Sequence, residues 1–519
     1  VITYADVPRH FNVTTHFVDR NLEEGRGDRT ALIDAHGPTT YAELAAITNR
    51  SGHVLRELGV RAEERVLLAL ADSVEFVALW YGALKVGAVT AEAYTFLQPK
   101  DYAYYLDYTR AGVVVADAAT LGPLREAAAA SRWLRHLLVV GVPEEELRSG
   151  EVAFKSLAAH APEELDAAPT TKDDVAIWKF TTGSTGQPKA AVHPHHSPLL
   201  SFEWYARGVL GIRDDDLVLP VPKLFFGYAR DLTALYPFGV GAAGVVFPER
   251  TTPERIFELV AAHRPTILVQ VPTMMAAMVA HPDAPQQDLS SLRLCTSAGE
   301  ALPRELYERW TATFGVEVLD GIGSSEAYHI YISNRPGRVR PGSVGEVVQG
   351  YSARVVDGDG TDVADGEVGT LWIEGDTAAL LYWNDHEKTK QTFSGDVVKT
   401  GDLFERDADG YFWYRGRADD LIKVGGIWVA PAEIEHCLVE HPDVVECAVI
   451  GREQDGLTVP AAYVVTRVDG SDALAAALQA HVRSHLSPHK YPREVWFVEE
   501  LPKTPSGKLD RRALREAPA

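Results

Sequence analysis

The run Lys179-Phe180-Thr181-Thr182-Gly183-Ser184-Thr185-Gly186-Gln187-Pro188-Lys189 gathers glycines, hydroxyls and lysine directly after a strand-like apolar segment. Glycines open backbone conformations that let N–H groups converge on one anion, hydroxyls add donors without charge, and Lys189 adds a cation. That is the chemistry of a phosphate cradle. The GxxxxGK[ST] spacing of a Walker loop is missing from the sequence. Pro188 disfavours helical geometry at Gln187, so phosphates are expected to meet a loop rather than a helix end. Strings of Ser, Thr and Gly are also ordinary surface turns, and the loop needs partners elsewhere in the chain to count as a site.

Candidate partners follow in order. Asp320-Gly321-Ile322-Gly323-Ser324-Ser325-Glu326 puts hydroxyls and a carboxylate on a glycine-rich turn after an expected strand. Ligands of open α/β sheets bind at such carboxyl ends. A carboxylate beside phosphates repels them unless a cation bridges the two, so Glu326 is expected to hold Mg²⁺. Upstream, the backbone of Ser297-Ala298-Gly299-Glu300 suits a position flanking a planar base. Lys399-Thr400-Gly401-Asp402 offers a carboxylate to a pair of ribose hydroxyls, although Asp after Gly is commonplace in turns. Close to the end, Pro502-Lys503-Thr504-Pro505-Ser506-Gly507-Lys508-Leu509-Asp510-Arg511 carries a lysine on a turn-rich segment. If a carboxylate attacks the α-phosphate of ATP, two anions meet, at a cost of about 4 kcal/mol for unit charges ~4 Å apart in an effective dielectric near 20. A lysine delivered by a mobile element offsets that charge only when the site closes. An exposed tail lysine is otherwise inert.

Parallel sheets would have to position these groups. Helical periodicity at Tyr41 to Leu58, Val74 to Lys85, Pro253 to His263 and Pro303 to Phe314 alternates with apolar strands at Val66 to Leu70, Val113 to Ala116, Leu217 to Val221, Thr266 to Val269 and Leu292 to Thr296. That alternation indicates mainly parallel sheets covered by helices. After Ser343 the chain becomes β-rich and turn-punctuated, as for a small β-barrel or distorted sheet, and past Gly416 a smaller α+β unit begins. The expected division is 1–416, a hinge at 417–420, and 421–519. At 519 residues several domains are expected, and a net charge of -23 argues against nucleic-acid or anionic-membrane partners. Cys295, Cys437 and Cys447 show no CxxC spacing, which implies neither disulfides nor zinc and fits a reducing cytoplasm. Val1 to Arg20 lacks the apolar core of a secretory signal, and no segment reaches the roughly 20 apolar residues of a spanning helix. His193-Pro194-His195-His196 reads as structural, because no cysteine or carboxylate completes a metal set.

Taken in order, these motifs resemble the acyl-adenylating (AMP-binding) superfamily of acyl-CoA synthetases, luciferases and peptide-synthetase adenylation domains, and Tyr414-Arg415-Gly416-Arg417-Ala418-Asp419-Asp420-Leu421-Ile422-Lys423 matches its junction motif. The resemblance implies a large body with a mobile C-terminal lid. Its reaction has two steps: acid and MgATP give acyl-AMP and pyrophosphate, then the thiol of coenzyme A displaces AMP. It implies that Thr181 to Gly186 and Lys189 hold phosphates, and that Ala298, Gly299, Glu300, Asp320, Gly321 and Ile322 border the nucleotide. Asp402 would take the ribose, Arg417 the nucleotide and Asp419 the hinge, with Lys508, Ser325 and Glu326 catalytic.

Phe11 to Arg20, Pro222-Lys223-Leu224-Phe225-Phe226-Gly227-Tyr228-Ala229, Ala327-Tyr328-His329-Ile330 and Asn334 to Gly342 resemble the benzoate-CoA ligase group in particular. Phe226, Gly227, Tyr228, Gly323, His329, Ile330 and Lys423 would then line the acid pocket, with an aromatic acid held by offset packing. Departures stand out: Gly227 where alanine is usual, Arg230-Asp231 for small or neutral residues, and Ala327-Tyr328 for a larger apolar pair. They would enlarge or reshape the pocket. The alternative is a biosynthetic ligase for a larger or decorated acid that passes it to coenzyme A, a carrier protein or a partner enzyme. A luciferase-like oxygenase shares the nucleotide motifs but not the aryl ones. Homodimerisation stays open.

Overall fold

The computed structural model describes residues 1–182, 187–424, 427–454, 457–487, 489–504 and 509–516. Gly183, Ser184, Thr185, Gly186 and Lys508 lie outside the described residues, and so do the side chains of Thr182 and Lys423.

Among the described residues, an eight-stranded sheet runs in the spatial order Leu381–Tyr382, Pro188–Pro194, Val175–Thr182, Val89–Glu92, Arg65–Ala69, Val113–Ala116, His136–Val139, Glu151–Ala153. From Val175–Thr182 onward every pairing is parallel. A nine-stranded sheet has a parallel centre, Val318–Gly323, Leu294–Ser297, Ile267–Gln270, Leu217–Pro220, Ala243–Val245 and Thr30–Asp34, with antiparallel strands at its edges. Strands such as Val113–Ala116 are apolar on both faces because helices cover both, as parallel sheets require. The helix Tyr41–Glu57 opens with a reciprocal capping box between Thr40 and Glu43 and buries Leu44, Val54 and Leu55.

The stretch after Ser343 forms a five-stranded antiparallel sheet where a barrel or distorted sheet is expected. The C-terminal unit has a core of its own, in which Ile434 and Leu438 of the helix Pro431–Val439 meet Val449, Val464, Leu478 and Val482. Features not anticipated by periodicity include the helix Pro99–Thr109, the strands Val89–Glu92 and Leu381–Tyr382, and the hairpin Thr30–Asp34 with Gly37–Thr40 at the edge of the second sheet.

Candidate active site

The phosphate motif joins Val175–Thr182 to Pro188–Pro194, which pair antiparallel with Thr181 opposite Lys189 and Thr182 opposite Pro188. The two strands that flank residues 183–186 are thus antiparallel neighbours, and the described chain resumes in a strand rather than a helix. This is why the Walker spacing is missing: that spacing serves a strand-to-helix junction. Lys189 is half-buried with its Nζ 5.2 Å from the centre of the Tyr382 ring, and burial pulls its pKa below the usual lysine value.

Tyr382 in turn donates its hydroxyl to Glu326 Oε1 at 2.6 Å, so the expected metal ligand and the expected phosphate lysine meet over one ring. The turn that carries Glu326 is fixed carbonyl by carbonyl from separate elements. His193 Nε2 donates to Ser325 O at 2.6 Å, and Ala379 N donates to Glu326 O at 2.7 Å. Thr377 Oγ1 donates to Ala327 O at 3.0 Å, and Lys179 Nζ donates to Tyr328 O at 2.6 Å. Ser325 Oγ reaches back to Phe180 O at 3.2 Å, which ties the turn to the phosphate hairpin. Within the turn Tyr328 holds φ at 74°, a left-handed conformation that disfavours a side chain by roughly 1–2 kcal/mol and persists when neighbours impose it.

Gly323 and His329 lie side by side where this turn closes: a Cβ on Gly323 would stand 2.4 Å from His329 O, so no other residue fits. The His329 ring lies 5.7 Å from that of Tyr228 and 5.0 Å from that of Tyr236. Burial, with the nearby Lys179 charge, lowers its pKa to about 3, so it is neutral at physiological pH. Nε2 faces the Tyr228 carbonyl at 3.3 Å and therefore carries the proton. Nδ1 is then a buried lone pair without a hydrogen-bond partner among the described residues. Ile330 is buried beside it, Phe226 is half-buried and packs at 4.8 Å on Phe225, and Phe225 belongs to the core.

Behind Gly227 lies a buried ionic cluster. Lys179 Nζ is 2.6 Å from Asp231 Oδ2, Arg230 lies 2.8 Å from both Asp231 Oδ1 and Glu92 Oε1, and Trp80 Nε1 donates to Glu92 Oε1 at 2.6 Å. Two cations face two carboxylates, which is what makes burial of all four tolerable. Burial pulls Lys179 down to about 8, partly countered by Asp231, and leaves it charged at neutral pH. Burial alone would raise Asp231, but Arg230 and Lys179 outweigh it and hold the carboxyl below the usual range.

Of the residues expected at the base, Gly299 and Glu300 follow the strand Leu294–Ser297 and Asp320 lies in its neighbour Val318–Gly323, whereas Asp402, expected at the ribose, lies in the antiparallel sheet. Gly299 has φ 91° and open space on the side where a Cβ would stand, and Glu300 is anchored through Oε2 by Thr273 N at 3.0 Å and Thr273 Oγ1 at 2.7 Å. Asp320 is buried, which pushes its carboxyl well above the usual range. Asp402 and Arg417 are cross-strand partners with Oδ1 and Nη1 3.0 Å apart, and Asp419 lies 3.7 Å from Arg417 Nη2.

Residues 18–383 match the model of the AMP-binding enzyme family, and residues 433–508 match that of the AMP-binding enzyme C-terminal domain. The chain belongs to the AMP-binding enzyme family. Among AMP-binding enzymes it is 42% identical to a benzoate–CoA ligase of Thauera aromatica over 516 residues, 98% of this chain and 97% of that one. It is 41% identical to a 4-hydroxybenzoate–CoA/benzoate–CoA ligase of Rhodopseudomonas palustris, covering 98% of this chain and 94% of the relative. An anthranilate CoA ligase solved with anthranoyl-AMP superposes with a TM-score of 0.94 at 38% identity, over 99% of this chain and 98% of that chain.

In this AMP-binding enzyme the ring of Tyr382 links Lys189 to Glu326, and Gly323, His329 and Tyr228 meet where the same turn closes, while Phe226 packs on Phe225 and Tyr94. The segment holding Lys508 is outside the described residues, but its flanks are anchored: Lys503 bridges to Leu509, and Arg511 grips Glu435 at 2.6 and 2.8 Å. Sequence reasoning missed Tyr382, whose role emerges only because Leu381–Tyr382 pairs with the second strand of the phosphate hairpin. Lys179 and Arg230-Asp231 stood out in the sequence separately, with nothing there to show that they touch.

Proposed function

We propose that this enzyme activates a ring-bearing aromatic acid, with MgATP, to an acyl-adenylate and passes the acyl group to coenzyme A. It is an AMP-forming acid–thiol ligase of the benzoate-CoA ligase type, and the observation that carries this is identity of 41–42% to benzoate ligases along almost the whole chain.

The residues divide the work as follows. His329, Tyr228, Ile330, Gly227 and Gly323 hold the ring, with Phe226 and Lys423 at the border. Lys189 and the loop Thr181 to Gly186 take the phosphates, and Ala298, Gly299, Glu300, Asp320, Gly321 and Ile322 border the base. Asp402 takes the ribose, with Arg417 beside it at 3.0 Å. Glu326 suits Mg²⁺: Tyr382 occupies one side of Oε1, no second side chain bonds the carboxylate among the described residues, and Mg²⁺ needs only one or two carboxylates besides water and phosphates. When bound, that ion would neutralise phosphate charge. Ser325 holds the turn through Phe180 O. Lys508 meets the charge that builds as the acid attacks, delivered by a lid comprising 421–519 that turns about 417–420 on a body comprising 1–416.

His329 refines the acid. Its bare Nδ1 accepts but cannot donate, so a ring amino or hydroxyl group satisfies it, whereas an unsubstituted ring leaves a buried acceptor unpaired at a cost of about 1–3 kcal/mol. The neighbouring structure with anthranoyl-AMP supports the same direction. A carrier protein in place of coenzyme A, a homodimer and a cytoplasmic location are compatible with this reading; among the described residues no helix is long and apolar enough to cross a membrane.

Pyrophosphate exchange into ATP with benzoate, the hydroxybenzoates and 2-aminobenzoate, followed by thioester formation with coenzyme A, tests the reading. Exchange with aromatic acids and thioester release support it. Exchange with none of them, or with aliphatic acids only, refutes it.

A further inference from the structure

Lys179 lies in the strand Val175–Thr182, and its side chain is engaged by Asp231 and Tyr328. Nζ makes two 2.6 Å bonds, to Asp231 Oδ2 and to Tyr328 O, and sits 3.6 Å from the centre of the Tyr328 ring. Two hydrogen bonds and the ring face thus enclose the ammonium, and the lysine side chain is 5% exposed against a fully buried carboxylate. It is held rather than free to swing.

The same side chain fills the space over Gly227. A Cβ built on Gly227 would stand 2.9 Å from Lys179 Cε and 3.0 Å from Nζ. The end of a lysine would ordinarily yield to such a contact. Here the two short bonds to Asp231 and Tyr328 oppose that movement, so position 227 and position 179 constrain each other. Gly227 opens the helix Gly227–Ala234 that also supplies Tyr228, Arg230 and Asp231. The carbonyl that Lys179 holds belongs to the strained Tyr328, directly before His329.

We propose that Lys179, anchored by Asp231, is a specificity-determining positioning residue of the acid pocket. Through the Tyr328 carbonyl it sets where the His329 ring stands, and by lying over Gly227 it replaces a small side chain with its own methylenes as the backing of that wall. This inference rests on the acid-activation reading given above.

The test is a double-mutant cycle on Lys179→Met and Gly227→Ala, read as pyrophosphate exchange with benzoate, the hydroxybenzoates and 2-aminobenzoate. Lys179→Met is expected to raise KM for the acid at least about ten-fold and to reorder the acids, while KM for ATP moves less than about two-fold. Gly227→Ala alone is expected to raise acid KM about five-fold or more, and this penalty should shrink below about two-fold once Lys179 is methionine, because the anchored lysine is no longer in the way. Additive penalties, or KM for acid and ATP rising together, would overturn the proposal. If Lys179→Met does not fold, Gly227→Ala decides alone, since it removes no hydrogen bond: an unchanged acid KM and acid ranking overturns the proposal. Wild-type enzyme inactive with every aromatic acid would instead overturn the function on which the proposal rests.

Discussion

Replacing Tyr382 by phenylalanine should isolate what one hydroxyl does for Glu326, the proposed Mg²⁺ ligand. The ring remains, so packing against Phe393 at 5.1 Å and the approach of Lys189 at 5.2 Å are retained. What goes is the 2.6 Å bond to Glu326 Oε1. A hydrogen bond to a charged group contributes roughly 1.5–3 kcal/mol, and about 1.4 kcal/mol corresponds to a factor of ten. Removing a group that orients a metal ligand typically weakens metal binding by about 10–100-fold, the same range. The half-saturating Mg²⁺ concentration in pyrophosphate exchange should therefore rise about 10–100-fold in Tyr382→Phe, with activity recovering at saturating Mg²⁺ to within a few-fold, because the carboxylate itself is untouched. The phenol cannot substitute as an anion in the wild type, since burial and Glu326 both push its pKa up. An unchanged Mg²⁺ dependence would refute the placement of the ion at Glu326, and so would a loss that no Mg²⁺ concentration restores.

Lys508→Ala should slow acyl-AMP formation by orders of magnitude, roughly 10²–10³-fold as for loss of one stabilising charge, while thioester formation from preformed acyl-AMP proceeds; equal loss in both steps contradicts the assigned role. Gly323→Ala should abolish exchange in a protein whose circular dichroism is unchanged, because its Cβ collides with backbone at His329 O, 2.4 Å away. Stability should fall in acid. Burial lowers His16, His193 and His329 to about 3 and His195 to about 4, against 6.5 unfolded. Below pH 6.5 the unfolded chain binds more protons than the folded one, so the stabilisation present above pH 6.5 is lost toward pH 4 at about 1.4 kcal/mol per pH unit for each histidine. Urea melts from pH 7 to 4.5 check this, and a flat profile would refute it.

Most of the parallel framework is legible in the sequence because fully buried strands such as Val113–Ala116 read as unbroken apolar runs, and helices such as Pro253–His263 carry their own start signals. The helix Pro99–Thr109 is harder to read: its Tyr-rich face gives weak periodicity, and tertiary packing of Tyr102, Tyr105 and Leu106 decides it. The nucleotide motifs are local in sequence and so readable. The ionic cluster is not, since Glu92, Lys179 and Asp231 come from two strands and a helix, and only the sheet order makes them neighbours. Tyr382 is hidden for the same reason, being placed by an edge pairing opposite Ala191.

The turn from Ser325 to His329 has its carbonyls held by His193, by Lys179 and by Thr377 with Ala379, which belong to three separate stretches of chain. Transplanting this loop from a relative to change substrate preference would bring none of those holders with it. A graft that succeeds has to carry the whole surrounding brace, which makes substrate range in this protein a property of the assembled interior rather than of any exchangeable segment.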